Sequence, residues 1–249
     1  MAFEYHWWDL EESKFKGVLY NTIGGFWLSD HPYKTWEEFE EDVPHIAFTD
    51  LVCGRLEALE QLFVDLRVVV QMLGVTDVPV KSATKNINRY DWLKSALDLK
   101  LLRYASIRDV SFHLVNEVFG LEIEDRKLNI QNIKKALANS RTDLTDVLDR
   151  ICTAGSEIRK ERNTRAHVGF AQLGTEDDNL FRIMSWSEDA DSVLMDYDID
   201  AVYQEACERM YKRLVKETDD LLATVICLVD ELIPDFDSMY EKKRLKKKN

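Results

Sequence analysis

Apolar residues recur at helical spacing over long stretches of this chain. Phe48, Val52, Leu56, Leu59, Phe63, Leu66, Val70 and Leu73 alternate gaps of four and three, and Gly74 supplies a stop. That spacing lines one face of a helix with 3.6 residues per turn. A second stripe, Leu97, Leu101, Tyr104, Ile107, Val110, Leu114 and Val118, predicts a helix from about Asp91 to Phe119, with Gly120 after it. Between the two, residues 75–85 hold Pro79 and no period, which predicts a loop. A short helix is expected over Leu128–Ala138. Ser140-Arg-Thr-Asp143 has the form of a capping box, opening a helix whose stripe is Leu144, Leu148, Ile151, Gly155 and Ile158. The last long helix carries Tyr203, Cys207, Met210, Leu214, Leu221, Val225, Leu228 and Leu232, and Pro234 is expected to end it.

Two stretches lack this period. Residues 1–45 are rich in aromatics (Tyr5, Trp7, Trp8, Tyr20, Phe26, Trp27, Tyr33, Trp36) and contain Gly24–Gly25. They predict an irregular or short-stranded cap packed on the rest, since Trp pairs need burial. In residues 169–198, Phe170–Leu173 and Leu180–Trp186 are separated by Gly-Thr-Glu-Asp-Asp-Asn, which predicts a small β-hairpin. Four long one-faced helices joined by loops predict an all-α, up-and-down bundle over residues 46–235. The aromatic cap at 1–45, the hairpin within 169–198 and a basic tail at 236–249 complete the expected layout.

Composition agrees with a helical protein. The 249 residues include only 9 Gly and 4 Pro, fewer than the tight turns of a sandwich or barrel require. Apolar residues at 45% and charged residues at 32% suit one large globular domain, with or without appendages. Cys53, Cys152, Cys207 and Cys227 form no Cys-x-x-Cys pair, so buried thiols are expected rather than a zinc ribbon or disulfide framework. The N-terminal MAFEYHWWDLEE has acids and no basic segment of the signal-peptide kind. The longest strongly apolar run, Leu221–Val229, is too short to cross a bilayer, and a cytoplasmic protein without a membrane partner is expected.

Charge narrows the chemistry. The net charge is −13, and the KKRLKKKN end holds six basic residues and no acid. Residues 1–241 therefore hold 27 basic against 46 acidic side chains, a net −19. Such a body repels long nucleic acid. The tail either touches phosphates or an anionic partner, or is a solvated terminus. There is no Gly-rich phosphate loop, no His-Glu-x-x-His and no Gly-x-Ser-x-Gly. His6, His31, His45 and His113 stand apart from one another, and Glu176-Asp-Asp lacks the further ligands of a calcium loop. No metal and no cofactor are expected.

One segment stands out. Four residues beyond Ile158 on the fourth stripe lies Arg162, and inward placement of a guanidinium calls for an anion to meet it. Arg159-Lys-Glu-Arg-Asn-Thr-Arg-Ala-His167 concentrates four cations and an imidazole within nine residues of an acidic chain. Five residues separate Arg162 from His167, a rotation of about 500° that leaves them some 140° apart on an unbroken helix. They converge only if the helix loosens before Gly169, or if a second subunit brings its own pair across an interface. A structural account also fits these residues. Cations in a last helical turn meet the helix dipole, one can pair with Glu157 or Glu161, and His167 can cap that end.

The string Arg162-Asn163-Thr-Arg-Ala-His167 resembles the Arg-x4-6-His motif of the HEPN superfamily, in the form with a polar Asn directly after the Arg. With 15 Arg and 5 His, chance places about 0.3 Arg-x4-His pairs in such a chain, and roughly 0.01 once Asn must follow the Arg. The resemblance covers the motif and the helical layout of about residues 46–235. It implies a helical bundle of the HEPN type, and for many members a metal-independent ribonuclease, often a toxin or phage-defence effector. It also implies a homodimer with a composite site at the interface, and it allows a cognate antitoxin such as the nucleotidyltransferase partners of the superfamily. On this resemblance His167 is the general base or acid, Arg162 the phosphate and transition-state ligand, and Asn163 the residue that orients the imidazole or phosphate. Arg159 and Arg165 are auxiliary phosphate contacts to substrate RNA. The alternative is a non-catalytic HEPN-like dimeric module that binds a nucleotide or protein partner, a reading the charge of −13 favours.

Overall fold

A computed structural model describes residues 3–4, 8–75, 87–138, 140–154, 156–168 (backbone alone at 166–168), 178–187 and 198–246. In chain order the helices are α1 (Lys14–Trp27), α2 (Trp36–Asp42), α3 (Pro44–Leu73), α4 (Arg89–Phe119), α5 (Ile130–Leu137), α6 (Thr142–Ala154), α7 (Ser156–Val168), α8 (Asp178–Ser187), α9 (Ile199–Glu231) and α10 (Ile233–Lys246). A 3-10 turn at Asp125–Lys127 precedes α5. No strand occurs among the described residues, and the protein is an all-α helical bundle.

Short polar side chains set where several helices start, by accepting from amides that have no partner within the helix. Thr35 Oγ1 accepts from the Glu38 N–H (3.3 Å) ahead of α2, and Asn88 Oδ1 from Asp91 (2.8 Å) ahead of α4. Asn129 does the same for Asn132 (3.0 Å) and Asp198 for Ala201 (3.1 Å), opening α5 and α9. Helix α4 stops at Gly120, whose φ of 57° is left-handed. There the Leu121 N–H donates to the Asn116 carbonyl and the Gly120 N–H to the Glu117 carbonyl, each at 3.0 Å, so two orphan carbonyls are satisfied.

The chain groups into two compact units. One comprises residues 1–8, 63–105 and 155–220, and so holds α7, α8, the end of α3, the first part of α4 and most of α9. Its core is built from Leu66, Leu73, Leu93, Leu97, Leu101, Phe181, Tyr203, Met210 and Leu214. Aromatics there keep their polar ends paired: half-buried Trp92 donates through Nε1 to the Met72 carbonyl (2.8 Å) and buried Tyr203 through Oη to that of Val75 (3.0 Å). The other unit comprises residues 9–62, 106–154 and 221–249. Its core includes Phe15, Phe48, Leu56, Ile107, Leu114, Leu148, Leu228 and Phe236, and α5 packs on α6.

Every residue of the stripe predicted for α3 is buried, and so is every residue of the α9 stripe. Elsewhere the structure corrects the expectations. The supposedly irregular cap holds two helices, α1 and α2, and Gly24–Gly25 lies inside α1. Phe15, Leu19 and Ile23, four residues apart, bury the inner face of α1. Aspartate 230 anchors its start by accepting from Ser13 Oγ (2.7 Å) and the Phe15 N–H (3.2 Å). Leu180–Trp186 is not a strand but most of α8, buried through Phe181, Met184 and Ser185 at helical spacing. Phe170–Leu173, the other half of the expected hairpin, lies outside the described residues, as does nearly all of the expected loop at 75–85. The fourth predicted helix covers α6 and α7, and Gly155 between them lies outside the described residues. Ser140 does not cap α6; its hydroxyl donates to the Leu137 carbonyl (3.4 Å). Pro234 sits in the first turn of α10, where proline has no amide to forfeit, and residues 236–246 are helical.

Two measurements test this packing. Phe236 stacks on Phe48 with ring centroids 5.4 Å apart and meets Phe15 edge-on at 5.5 Å. Phe236→Ala is expected to cost about 3–5 kcal/mol in urea unfolding, the loss typical of a buried phenyl ring; a cost below about 1 kcal/mol contradicts the docking of α10. Burial, reinforced by Glu57 and Asp50, pushes the Cys53 thiol from 9.0 up to about 12. The unfolded thiol ionises first, so the stability this group contributes is whole below pH 9 and declines as pH climbs toward 12. A pH series of unfolding curves should fall less steeply above pH 9 for Cys53→Ala than for the parent, by up to about 1.4 kcal/mol per pH unit.

Candidate functional site

Helix α7 is SEIRKERNTRAHV, so hydrophobic burial contributes little to holding it. Among its described side chains only Ile158 is buried. The positions that follow Ile158 around the same face, three and seven residues on, are Glu161 and Arg165. Both are engaged in ion pairs within their own unit. Arg165 Nε meets Asp98 Oδ1 on α4, with its Nη2 at 3.5 Å from Oδ2. Glu161 Oε2 accepts from Arg213 Nη2 on α9 at 3.0 Å.

The second pair is part of a longer chain of charge. Arg213 Nε donates to Glu217 Oε1 (2.8 Å), and Glu217 Oε2 lies 2.7 Å from Lys100 Nζ on α4. Lys100 is only 3% exposed. Burial lowers its pKa, because the ammonium has left water, while Glu217 opposes that shift by favouring the charged form. Tyr104 Oη donates to the Glu217 carbonyl (3.0 Å), tying α9 to α4 at the same level. Burial also pushes the Tyr104 phenol well above its ordinary 10.0, and Glu217 adds to that.

The arginine of the predicted motif is placed differently from its neighbours. Arg162 is half-buried, and its Nη2 and Nε donate to Asn163 Oδ1 at 3.0 and 3.3 Å. Asn163 itself is exposed. The guanidinium thus meets the amide oxygen of the next residue on its own helix, and Glu161 is held by α9. Arg159 is half-buried. The backbone of α7 is helical through Val168 and so includes His167, whose side chain lies outside the description. With no loosening of the helix between them, Arg162 and His167 leave it about 140° apart and roughly 7.5 Å apart along the axis.

Sequence reasoning missed Lys100, Glu217 and Arg213, though two of them left a signal. Lys100 is three residues past Leu97 and four before Tyr104, on the inward stripe of α4. Glu217 occupies the inward position between Leu214 and Leu221 of α9. A cation and an anion interrupting two apolar stripes are what a buried pair looks like in sequence. Arg213 left no such mark. Among the described residues no group of three or more His, Cys, Asp or Glu side chains is arranged to hold a metal ion. No helix among them is long and apolar enough to cross a membrane.

A family model described as Cthe2314-like HEPN matches residues 77–223, more than half of the chain and all of the described part of α7. No curated protein and no solved structure matches the chain.

The Lys100–Glu217 pair gives a stability prediction. Glu217→Ala leaves a buried ammonium without its counter-charge and should cost about 3–5 kcal/mol. Replacing both partners with apolar residues of similar size, Lys100→Met with Glu217→Leu, should recover most of that. Urea unfolding of the three proteins checks it; a loss under about 1 kcal/mol for Glu217→Ala means that Lys100 finds water instead.

Proposed function

This chain belongs to the Cthe2314-like HEPN family, and from that membership we propose that it is a metal-independent endoribonuclease that works as a homodimer. The observation that carries the reading is α7: one continuous helix bearing Arg162-Asn163-x-x-x-His167 and fastened to α4 through Arg165, within that string, and to α9 through Glu161, beside it.

In the proposed reaction one motif histidine takes the proton from a ribose 2′-hydroxyl. The oxygen attacks the adjacent phosphorus, the bond to the 5′-oxygen breaks, and a second histidine protonates that leaving oxygen. The products are a 2′,3′-cyclic phosphate and a 5′-hydroxyl. Imidazole titrates in the range both roles need. A chain with one motif histidine supplies two only as a pair of copies, and the 140° between Arg162 and His167 on an unbroken helix favours a site composed from both. Arg162 holds the phosphate oxygens with its planar fork and balances the charge that grows on phosphorus. Asn163, already bonded to Arg162, orients that fork. Arg159 and Arg165 are the auxiliary phosphate contacts, Arg165 by trading the Asp98 carboxylate for a phosphate oxygen. The setting we propose is a toxin or defence effector, with an antitoxin protein as its control, acting in the cytoplasm.

A second reading, a dimeric HEPN module that binds a nucleotide or protein without cleaving RNA, is favoured by the net charge of −13. Purified protein incubated with a mixed RNA pool in EDTA separates the two. Cleavage that resists EDTA, leaves cyclic-phosphate ends and falls about 100- to 10,000-fold in both His167→Ala and Arg162→Ala is the expected result. No cleavage by a folded dimer moves the assignment to the binding module. Equal cleavage by all three proteins identifies a contaminant.

A further inference from the structure

We propose that Arg213 is a positioning residue for the motif helix: by gripping Glu161 and Glu217 at once, it fixes the rotation of α7 and hence the direction in which Arg162 and Asn163 leave it. This rests on the RNA-cleaving reading for its catalytic consequence, but not for its structural one.

The argument starts from what α7 lacks. A helix with a broad apolar stripe is held in rotation by the packing of that stripe; among the described side chains of α7, at 156–165, Ile158 alone is buried and no such stripe forms. Turning the helix by one residue, about 100°, brings Arg162 into the direction that Glu161 now holds. The ion pairs of Glu161 and Arg165 oppose that turn. Asp98, the partner of Arg165, is half exposed. The Glu161 pair is backed differently. Arg213 reaches Glu161 through Nη2 (3.0 Å) and Glu217 through Nε (2.8 Å), two separate donors of one rigid plane. Glu217 in turn cannot swing away, since its other oxygen neutralises the buried Lys100 at 2.7 Å. The chain of contacts therefore runs from the interior of this unit to the residue next to Arg162. A lysine at position 213 could serve either carboxylate but not both in this geometry.

The test uses Arg213→Ala, Arg213→Lys and Glu161→Gln in the full chain. Glu161→Gln keeps an oxygen that accepts from Arg213 and is the conservative control. Amide hydrogen exchange over residues 157–165 should quicken at least about tenfold in both Arg213 variants while α10 is unchanged, and stay near the parent in Glu161→Gln. RNA cleavage should lose about 10- to 100-fold in kcat with KM within about twofold for both Arg213 variants, as expected for a displaced but intact site. Unchanged exchange in α7 overturns the proposal. A rise in KM at constant kcat also overturns it, since Arg213 then touches RNA directly. A parent protein that cleaves no RNA sinks the ribonuclease reading alone, and the exchange measurement still decides the role of Arg213. Should Arg213→Ala fail to fold, Arg213→Lys carries both arms.

Discussion

A helix whose described side chains bury a single hydrophobic anchor leans on charge to hold it, and the candidate site of this protein depends on that constraint. Helix α7 offers its unit Ile158, Glu161 and Arg165, where an ordinary core helix would offer leucines. The neighbouring helices answer with Asp98 and Arg213. Hydrophobic packing is non-directional and tolerates small rotations. Hydrogen-bonded ion pairs do not, because each needs its donor and acceptor aligned within a few tenths of an ångström. The arrangement gives up cohesion and gains a defined orientation for the residues that lie between the clamped positions.

Burial decides which of these pairs matters. Exposed ion pairs contribute little, because water and salt screen them and ordering two long side chains costs entropy. Asp98 and Arg213 are both about half exposed, and taken singly their bonds to α7 are weak. Lys100 differs: at its depth, losing Glu217 leaves an uncompensated charge in a poorly polarisable surrounding. The interior pair thus fixes Glu217 strongly, and Glu217 passes that rigidity to a partner that would otherwise be mobile in water. The hydrogen bond from Tyr104 to the Glu217 carbonyl adds a contact that does not depend on charge.

The same logic bears on the proposed RNA substrate of an acidic protein. A net charge of −13 opposes any extended, non-specific hold on RNA. The proposed reading therefore requires local engagement, at a place where cations outnumber acids. Within α7 two acids, Glu157 and Glu161, face Arg159, Lys160, Arg162 and Arg165. Pairing Glu161 with Arg213 of α9 removes one of those acids from competition for Arg162, leaving its guanidinium bonded to a neutral amide. A neutral partner gives way to phosphate far more readily than a carboxylate does.

How much of this was legible in the sequence differs by element, for physical reasons. Each residue of the α3 and α9 stripes is buried because long helices with wide apolar faces report their inward side through spacing alone. The all-α class followed from such spacing, and the family from the resemblance carried by the Arg162–His167 string together with that helical layout. Helix α1 was obscured by Gly24, Gly25 and conspicuous aromatics, though Phe15, Leu19 and Ile23 carried its period; in α8 a short apolar run left strand and helix undistinguished. Arg162 and Asn163 were visible as neighbours in a string, and so was their separation from His167. What each cation is bonded to was not, since Arg165 and Asp98, or Arg213 and Glu161, are 67 and 52 residues apart. Periodicity records which face of a helix turns inward; it does not record which helix it turns toward. Only the tertiary structure could decide that, because an ion pair is set by the meeting of two faces and leaves on either one no more than a charge.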